Sequence, residues 1–322
     1  MHPFAIPVGL ARRARRAARA TRFRAERATA GRQRPGAADQ LTPVHLSLRD
    51  SRTLNLAVPA PGTRSGELVL SRGARRHRVP LAVERHTDGT PLLTATVTLR
   101  DALEGTGPGP ALSEGAWRLT VVTTGADGRV RRHGLALAEA PAPPTPTLPH
   151  APHPRTGTLL RVVRCRGGRA AVQVTRSRPR AELVRFEPRG HGITVHGRVV
   201  AARASAVRGA GQGAGGARAV RRRDGLTVPV PLAWDGERFS FALPLAAMAR
   251  AGSGQWVWDF HVGGLPLGRW LTDVRDVPSA FPTPFRLVAL DEGGLVRAHP
   301  HFTPSGAFAV TCLDLTQQKE TP

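Results

Sequence analysis

One order of alternating strands, turns and tryptophans runs through this chain twice, and an internal repeat constrains an architecture before any single motif is weighed. In the first copy Leu93, Ala95, Val97 and Leu99 alternate, and Leu103, Gly115 and Trp117-Arg118-Leu119 follow. In the second, Phe239, Phe241, Leu243 and Leu245 alternate, and Met248, Gly254 and Trp256-Val257-Trp258-Asp259-Phe260 follow. Upstream, Arg75-Arg76-His77-Arg78-Val79-Pro80-Leu81 answers to Arg221-Arg222-Arg223 with Val228-Pro229-Val230-Pro231-Leu232. Downstream, residues 158–163 and 168–172 answer to 284–289 and 306–310.

The period inside each copy is two, the alternation of a half-buried strand. Strands are expected at 45–48, 54–58, 67–70, 77–83, 92–99, 117–123, 131–137, 159–164 and 170–175, with short helical turns at 99–112 and 245–251. Turn chemistry separates them: Asp88-Gly89, Asp127-Gly128 and Gly167-Gly168 supply residues that tolerate positive φ. The pattern predicts an all-β chain of two tandem immunoglobulin-like antiparallel β-sandwiches. The expected layout is a basic arm at 1–40, a first sandwich at 41–178, a second at 179–316 and a tail at 317–322. The proline-rich stretch 138–155 reads as a loop of the first sandwich, because 274–284 is its counterpart; a stiff linker is the alternative.

Charge is lopsided. Lys+Arg 47 against Asp+Glu 23 gives a net +24, a field that attracts phosphate, anionic lipid or acidic polymers. Tyr is absent, Ile occurs only at Ile6 and Ile193, Asn only at Asn55 and Lys only at Lys319, the signature of a GC-rich genome that inflates arginine by mutation alone. The segment 8–30 reads as a helix of Ala and Arg with Arg12, Arg15, Arg16, Arg19 and Arg22 on one side, suited to polyanions or an anionic membrane surface; a solvated tail is the plainer reading. No run reaches the roughly 18 apolar residues of a membrane span, and the first residues lack a secretory signal's apolar stretch, so the expected place is the cytoplasm, with the inner face of the membrane as the surface the arm would meet.

Most motifs have a plain structural reading. Gly211-Gln212-Gly213-Ala214-Gly215-Gly216 satisfies a dinucleotide string but lacks the strand before it and the helix after it. Trp256 and Trp258 share parity and read as core, whereas Trp234 and Trp270 lie near turns and are the candidates for ligand contact. His299 and His301 lack a third ligand and Cys165 and Cys312 lack metal-site spacing, so neither a metal nor a cofactor is expected. Arg75, Arg76 and Arg78, with Arg221, Arg222 and Arg223, form two clusters that suit phosphate oxygens or protect sheet edges. No nucleophile elbow, Walker loop or HExxH helix occurs; were there a catalytic site, Asp235, Glu237, Asp259 and His261 would be the first to test.

The triple arginine 221–223, Leu243-Pro244-Leu245, Gly254-x-Trp256 with Trp258-Asp259-Phe260, Gly268-Arg269-Trp270-Leu271 and the closing Pro300-His301-Phe302-Thr303-Pro304 together resemble a family of repeats over residues 41–315. These are the β-sandwich repeats that accompany actinobacterial glycosyltransferases and CDP-glycerol glycerophosphotransferases. The resemblance implies an accessory protein of cell-wall, teichoic-acid-like glycopolymer synthesis that binds a phosphate-rich polymer or docks a transferase. The alternatives are a transferase with an unrecognised site and a generic polyanion or nucleic-acid binder; specific recognition of nucleic acid is not expected.

Overall fold

In a computed structural model, the described residues are 17, 18, 21, 24, 25, 28, 40–86, 89–102, 106–137, 146–147, 151–190, 192–202, 204–209, 216–291 and 293–316. Arg12, Arg15, Arg16, Arg19 and Arg22 lie outside them, as do 211–215 of the glycine-rich string. The described arm residues are helical, with Thr21 Oγ1 donating to the Ala17 carbonyl at 2.9 Å. No helix among the described residues is long and apolar enough to cross a membrane. By packing, the chain divides into two units: Met1–Pro143 with Thr158–Arg176, and Pro144–Gly157 with Ser177–Pro322.

The first unit is a two-sheet antiparallel sandwich. In one sheet β2 (His45–Arg49), β3 (Thr53–Pro59) and β6 (Pro91–Thr98) pair in succession, and β6 pairs the C-terminal part of β5 (Arg75–Arg85). The N-terminal part of β5 crosses to the other sheet and pairs β4 (Thr63–Arg72), which pairs β9 (Gly115–Gly125). The far edge of β9 takes both β10 (Val130–Leu135) and β12 (Ala170–Thr175), and β12 pairs β11 (Leu159–Arg164). β1 (Gln40–Leu41) runs parallel to β10. Alternation decides what is buried: Leu54, Leu56 and Val58 from one sheet meet Leu68, Leu70, Trp117, Leu119 and Val121 from the other. The expected helical turn at 99–112 is replaced, in its described residues, by a parallel pair, β7 (Arg100–Asp101) with β8 (Ala111–Leu112). Burial explains the extension: Asp101 is fully buried, Arg176 donates to its Oδ1 at 3.0 and 3.1 Å, and Thr158 donates to its Oδ2 at 2.5 Å. A charge buried that deeply needs such partners.

The second unit follows the same scheme. β13 (Arg180–Arg189), β14 (Gly192–Val200), β18 (Arg238–Ala242) and β17 (Ala233–Asp235) pair in succession. β16 (Thr227–Val230) pairs β15 (Ala217–Arg221), β15 pairs β19 (Gln255–Val262), and β19 also takes β20 (Leu265–Gly268) and β23 (Phe308–Asp314). β23 pairs β22 (Leu295–Phe302), and an additional strand, β21 (Arg286–Ala289), borders β22. β13 runs parallel to β20, as β1 does to β10. The helices are short: α1 (Ala204–Gly209), α2 (Leu245–Ala249) where a helical turn was expected, and α3 (Val277–Ala280). α1 comes before the glycine-rich string and β15 after it, the reverse of the order a dinucleotide site requires.

Pairing moves two of the expected equivalences: β22, and not 284–289, takes the place of β11 as the partner of the last strand, and the tryptophan register shifts by two residues. Trp117 pairs Val172 and Trp258 pairs Val310, so the position of Trp117 is held by Trp258 and not by Trp256. A two-residue shift preserves the face, and all three indoles are buried. Trp256 keeps a role Trp117 also has, tying down the preceding loop: their Nε1 atoms donate to Met248 O at 2.9 Å and Ser113 O at 2.8 Å.

Candidate functional site

On β9, Trp117, Leu119 and Val121 point into the core, so Arg118, Thr120 and Val122 face outward. Strand pairing then lays rungs across this outer face. In the first, Arg76 pairs Ser71 and Ser71 pairs Arg118. In the second, Arg78 pairs Val69, Val69 pairs Thr120, and Thr120 pairs Gly134. In the third, Pro80 pairs Glu67, Glu67 pairs Val122, and Val122 pairs Arg132. Arg169, in the turn between β11 and β12, lies over Gly134; a Cβ added there would stand 3.0 Å from its Nε.

Arg76, Arg78, Arg118, Arg132 and Arg169 thus line one groove of about 500 Å³ on the first unit, and the described residues lining it include no carboxylate and no aromatic ring. Arg118 and Arg169 are half-buried; Arg76, Arg78 and Arg132 are exposed. Among the described residues one carboxylate shares the face: Glu67 accepts from Arg78 Nη1 at 3.3 Å. With both side chains well exposed, that pair is worth about 0.5 kcal/mol. Gathering like charges over a concave surface focuses a positive potential, and each guanidinium fork can take two phosphate oxygens.

Of the arginines expected from sequence, the structure brings Arg76 and Arg78 into this groove. Arg75 has the parity of His77, whose ring lies 5.3 Å from that of Trp117 on the core side, and it does not line the groove. The second cluster does not occupy the equivalent strand: Arg221 ends β15, the counterpart of β4, and Arg222 and Arg223 sit in the turn beyond it. Arg221 lies over the Trp258 ring at 5.9 Å and is bound by Asp224, whose carboxyl it pulls down to about 2. Arg222 grips both oxygens of Asp259 at 2.7 to 3.1 Å, leaving Arg223 as the cluster's exposed cation without an ion pair among the described residues. Sequence reasoning missed Arg118, Arg132 and Arg169 as site residues. For Arg118 the signal existed, since it alternates with the core residues Trp117 and Leu119; Arg132 and Arg169 join only through strand pairing.

Register identifies what the second unit has in these places: Thr227 for Arg76, Pro229 for Arg78, Asp259 for Arg118, Gly264 for Arg132 and Ala307 for Arg169. None of the five is repeated, although Arg218 stands on that face in the place of Val69.

The other candidates are packing residues. Trp270 is half-buried under Arg180 at 4.7 Å, its Nε1 donating to Ala181 O at 3.0 Å, and Trp234 meets Phe239 edge-on at 5.6 Å. The Gly268-Arg269-Trp270-Leu271 motif anchors the unit: backbone N–H groups of Trp270 and Leu271 donate to buried Glu182, and Arg269 lies 3.7 Å over Phe281. Burial pushes the Glu182 carboxyl above its ordinary value, against those donors. Asp235 ends β17 and Glu237 lies in the turn before β18, accepting from Ala204 N at 3.3 Å, while Asp259 and His261 lie on β19 in the other sheet, so these four form no single constellation. Both cysteines are buried thiols, Cys312 pushed up to about 12 by desolvation. No group of three or more His, Cys, Asp or Glu suited to a metal ion occurs among the described residues.

No family model matches the chain, and no curated protein does. Among solved structures, the crystal structure of S. aureus TarS residues 217–571 aligns at 10% identity and TM-score 0.31, covering 64% of this chain and 55% of that one. A second S. aureus TarS structure aligns at 9% and 0.30, covering 63% of this chain and 35% of that one. A cycloalternan-degrading enzyme from Trueperella pyogenes aligns at 8% and 0.20, covering 82% and 31%. The chain spans about half and about a third of the two TarS chains, and the likenesses are too faint to carry a function.

Proposed function

We propose that this is a non-catalytic binding protein whose first unit holds a phosphate-rich polymer in the five-arginine groove. The observation that carries this reading is the convergence of Arg76, Arg78, Arg118, Arg132 and Arg169 on one groove with no carboxylate among its described lining residues, on a face whose counterpart in the second unit holds none of the five. Arginine forks recognise phosphate by paired hydrogen bonds, and the groove concentrates anions before contact is made. The wider setting is synthesis of a teichoic-acid-like cell-wall glycopolymer, beside a transferase partner and at the inner face of the membrane. That setting rests on the sequence resemblance and on the basic arm.

The test is binding of polyglycerol phosphate to the full chain at two salt concentrations, beside Arg118→Ala, Arg132→Ala and Arg222→Ala. The first two are expected to weaken binding about tenfold each while Arg222→Ala, already neutralised by Asp259, leaves it unchanged. Equal binding by all four proteins would sink the reading and return the attraction to the arm.

A further inference from the structure

We propose that the groove reads its ligand one phosphate per rung: it takes an extended phosphodiester chain with three-carbon spacers, lying along β4 and β9 with three consecutive phosphates engaged. This rests on the phosphate-binding reading above and adds to it a direction, a register and a ligand class.

The rungs supply the register. Successive outward residues on a strand are two apart, so the rungs recur every ~7 Å. Their cations fall in sequence: Arg76 and Arg118 on the first, Arg78 with Arg169 on the second, Arg132 on the third. Two residues of extended polypeptide contain about six backbone bonds. A phosphodiester repeat with a three-carbon spacer contains the same number from one phosphorus to the next, so ligand and strand keep step. Inorganic polyphosphate, with phosphorus atoms joined through a single oxygen, is too short in its repeat to meet successive rungs. A five-carbon spacer is too long.

A single strand of nucleic acid has the same backbone repeat, and the lining separates the two. Non-specific binders of single strands stack bases on aromatic side chains. Here the floor between the arginines is Val69, Thr120 and Val122, with no ring among the described lining residues, which suits a polyol spacer. Glu67 grades the rungs. Standing between Val122 and Pro80 on the third, and bound to Arg78 of the second, it sets a negative charge beside the third phosphate and makes that site the weakest.

The experiment is calorimetric titration of the full chain with glycerol phosphate oligomers carrying one to five phosphates, with tripolyphosphate and with oligothymidylate of equal phosphate number. Each titration is repeated on Arg118→Ala, Arg132→Ala and Glu67→Gln, so that the arm's contribution is constant throughout. Expected is a groove-dependent affinity that rises about tenfold per phosphate up to three and then levels. Arg132→Ala should remove only the gain from the third phosphate, Arg118→Ala should weaken every length, and Glu67→Gln should tighten the three-phosphate ligand several-fold without changing the one-phosphate ligand. The register is overturned, with phosphate binding intact, if one phosphate binds as tightly as three, if the gain continues past three, or if tripolyphosphate or oligothymidylate matches the three-phosphate oligomer while Arg118→Ala still weakens binding. Phosphate binding itself is overturned if Arg118→Ala and Arg132→Ala, folded as judged by unchanged melting, bind every ligand like the parent.

Discussion

The two units share the pairing scheme of their central strands, yet their outer faces differ in charge. Where the first unit sets Arg118 beside further arginines, the second sets Asp259, which closes on Arg222 with both oxygens. One face gathers five arginines; the other pairs Arg222 with Asp259 and keeps Arg218 as an outward cation in the place of Val69. Elsewhere on the second unit's face the counterparts are Thr227, Pro229, Gly264 and Ala307, small or uncharged. The inward positions of both units are apolar while the outward ones differ, so core packing and surface charge are carried by alternate residues of the same strands.

The equivalence itself is the first thing to break. Trp117→Ala and Trp258→Ala each remove a fully buried indole and should cost about 3–5 kcal/mol. In a calorimetric scan each should lower the transition of its own unit; a loss from Trp258→Ala much smaller than from Trp117→Ala would undo the register that equates them. Next in size is charge inversion on the exposed face. Arg118→Asp copies the second unit's residue into the first and should reduce polyglycerol phosphate affinity by about ten- to a hundredfold with little change in melting. Retained affinity would mean the faces differ in charge without differing in use. The reciprocal change is milder: Asp259→Ala frees Arg222, but the pair is more than a third exposed, so its loss should cost about 0.5 kcal/mol or less by denaturant titration. A penalty several times larger would show that Asp259 supports the fold. The smallest effect is a pH slope confined to the second unit. Because burial raises the Glu182 carboxyl, its contribution is complete below the ordinary carboxylate range near 4.5 and fades as pH rises through the raised folded value. The second transition should therefore soften slightly across that window, and Glu182→Gln should flatten the slope.

Alternation made the cores legible in advance: Leu54, Leu56 and Val58, or Phe239 and Phe241, announce a half-buried strand, and each lies where period two puts it. Local turn signals placed β11 and β12 at their observed bounds. Longer-range facts were not accessible in this way. Arg132 and Arg169 are separated from Arg76 by whole strands, and only pairing brings them to one groove. Arg221 and Arg222 look like Arg75 and Arg76 as a string, but their charge is cancelled by Asp224 and Asp259, the second of which is distant in sequence. The parallel pair β7–β8 arose where a helical turn was expected because tertiary burial of Asp101 outweighs a weak local preference.

The order of segments along the chain gives the duplicated architecture one more property. Thr158–Arg176 belongs with the first unit although Pro144–Gly157, which precedes it, belongs with the second. The repeats are therefore interleaved, and no single cut yields two whole halves. During synthesis β9 gains its partner β12 only after more than forty further residues have been added, so completion of the first unit waits on chain that already includes part of the second.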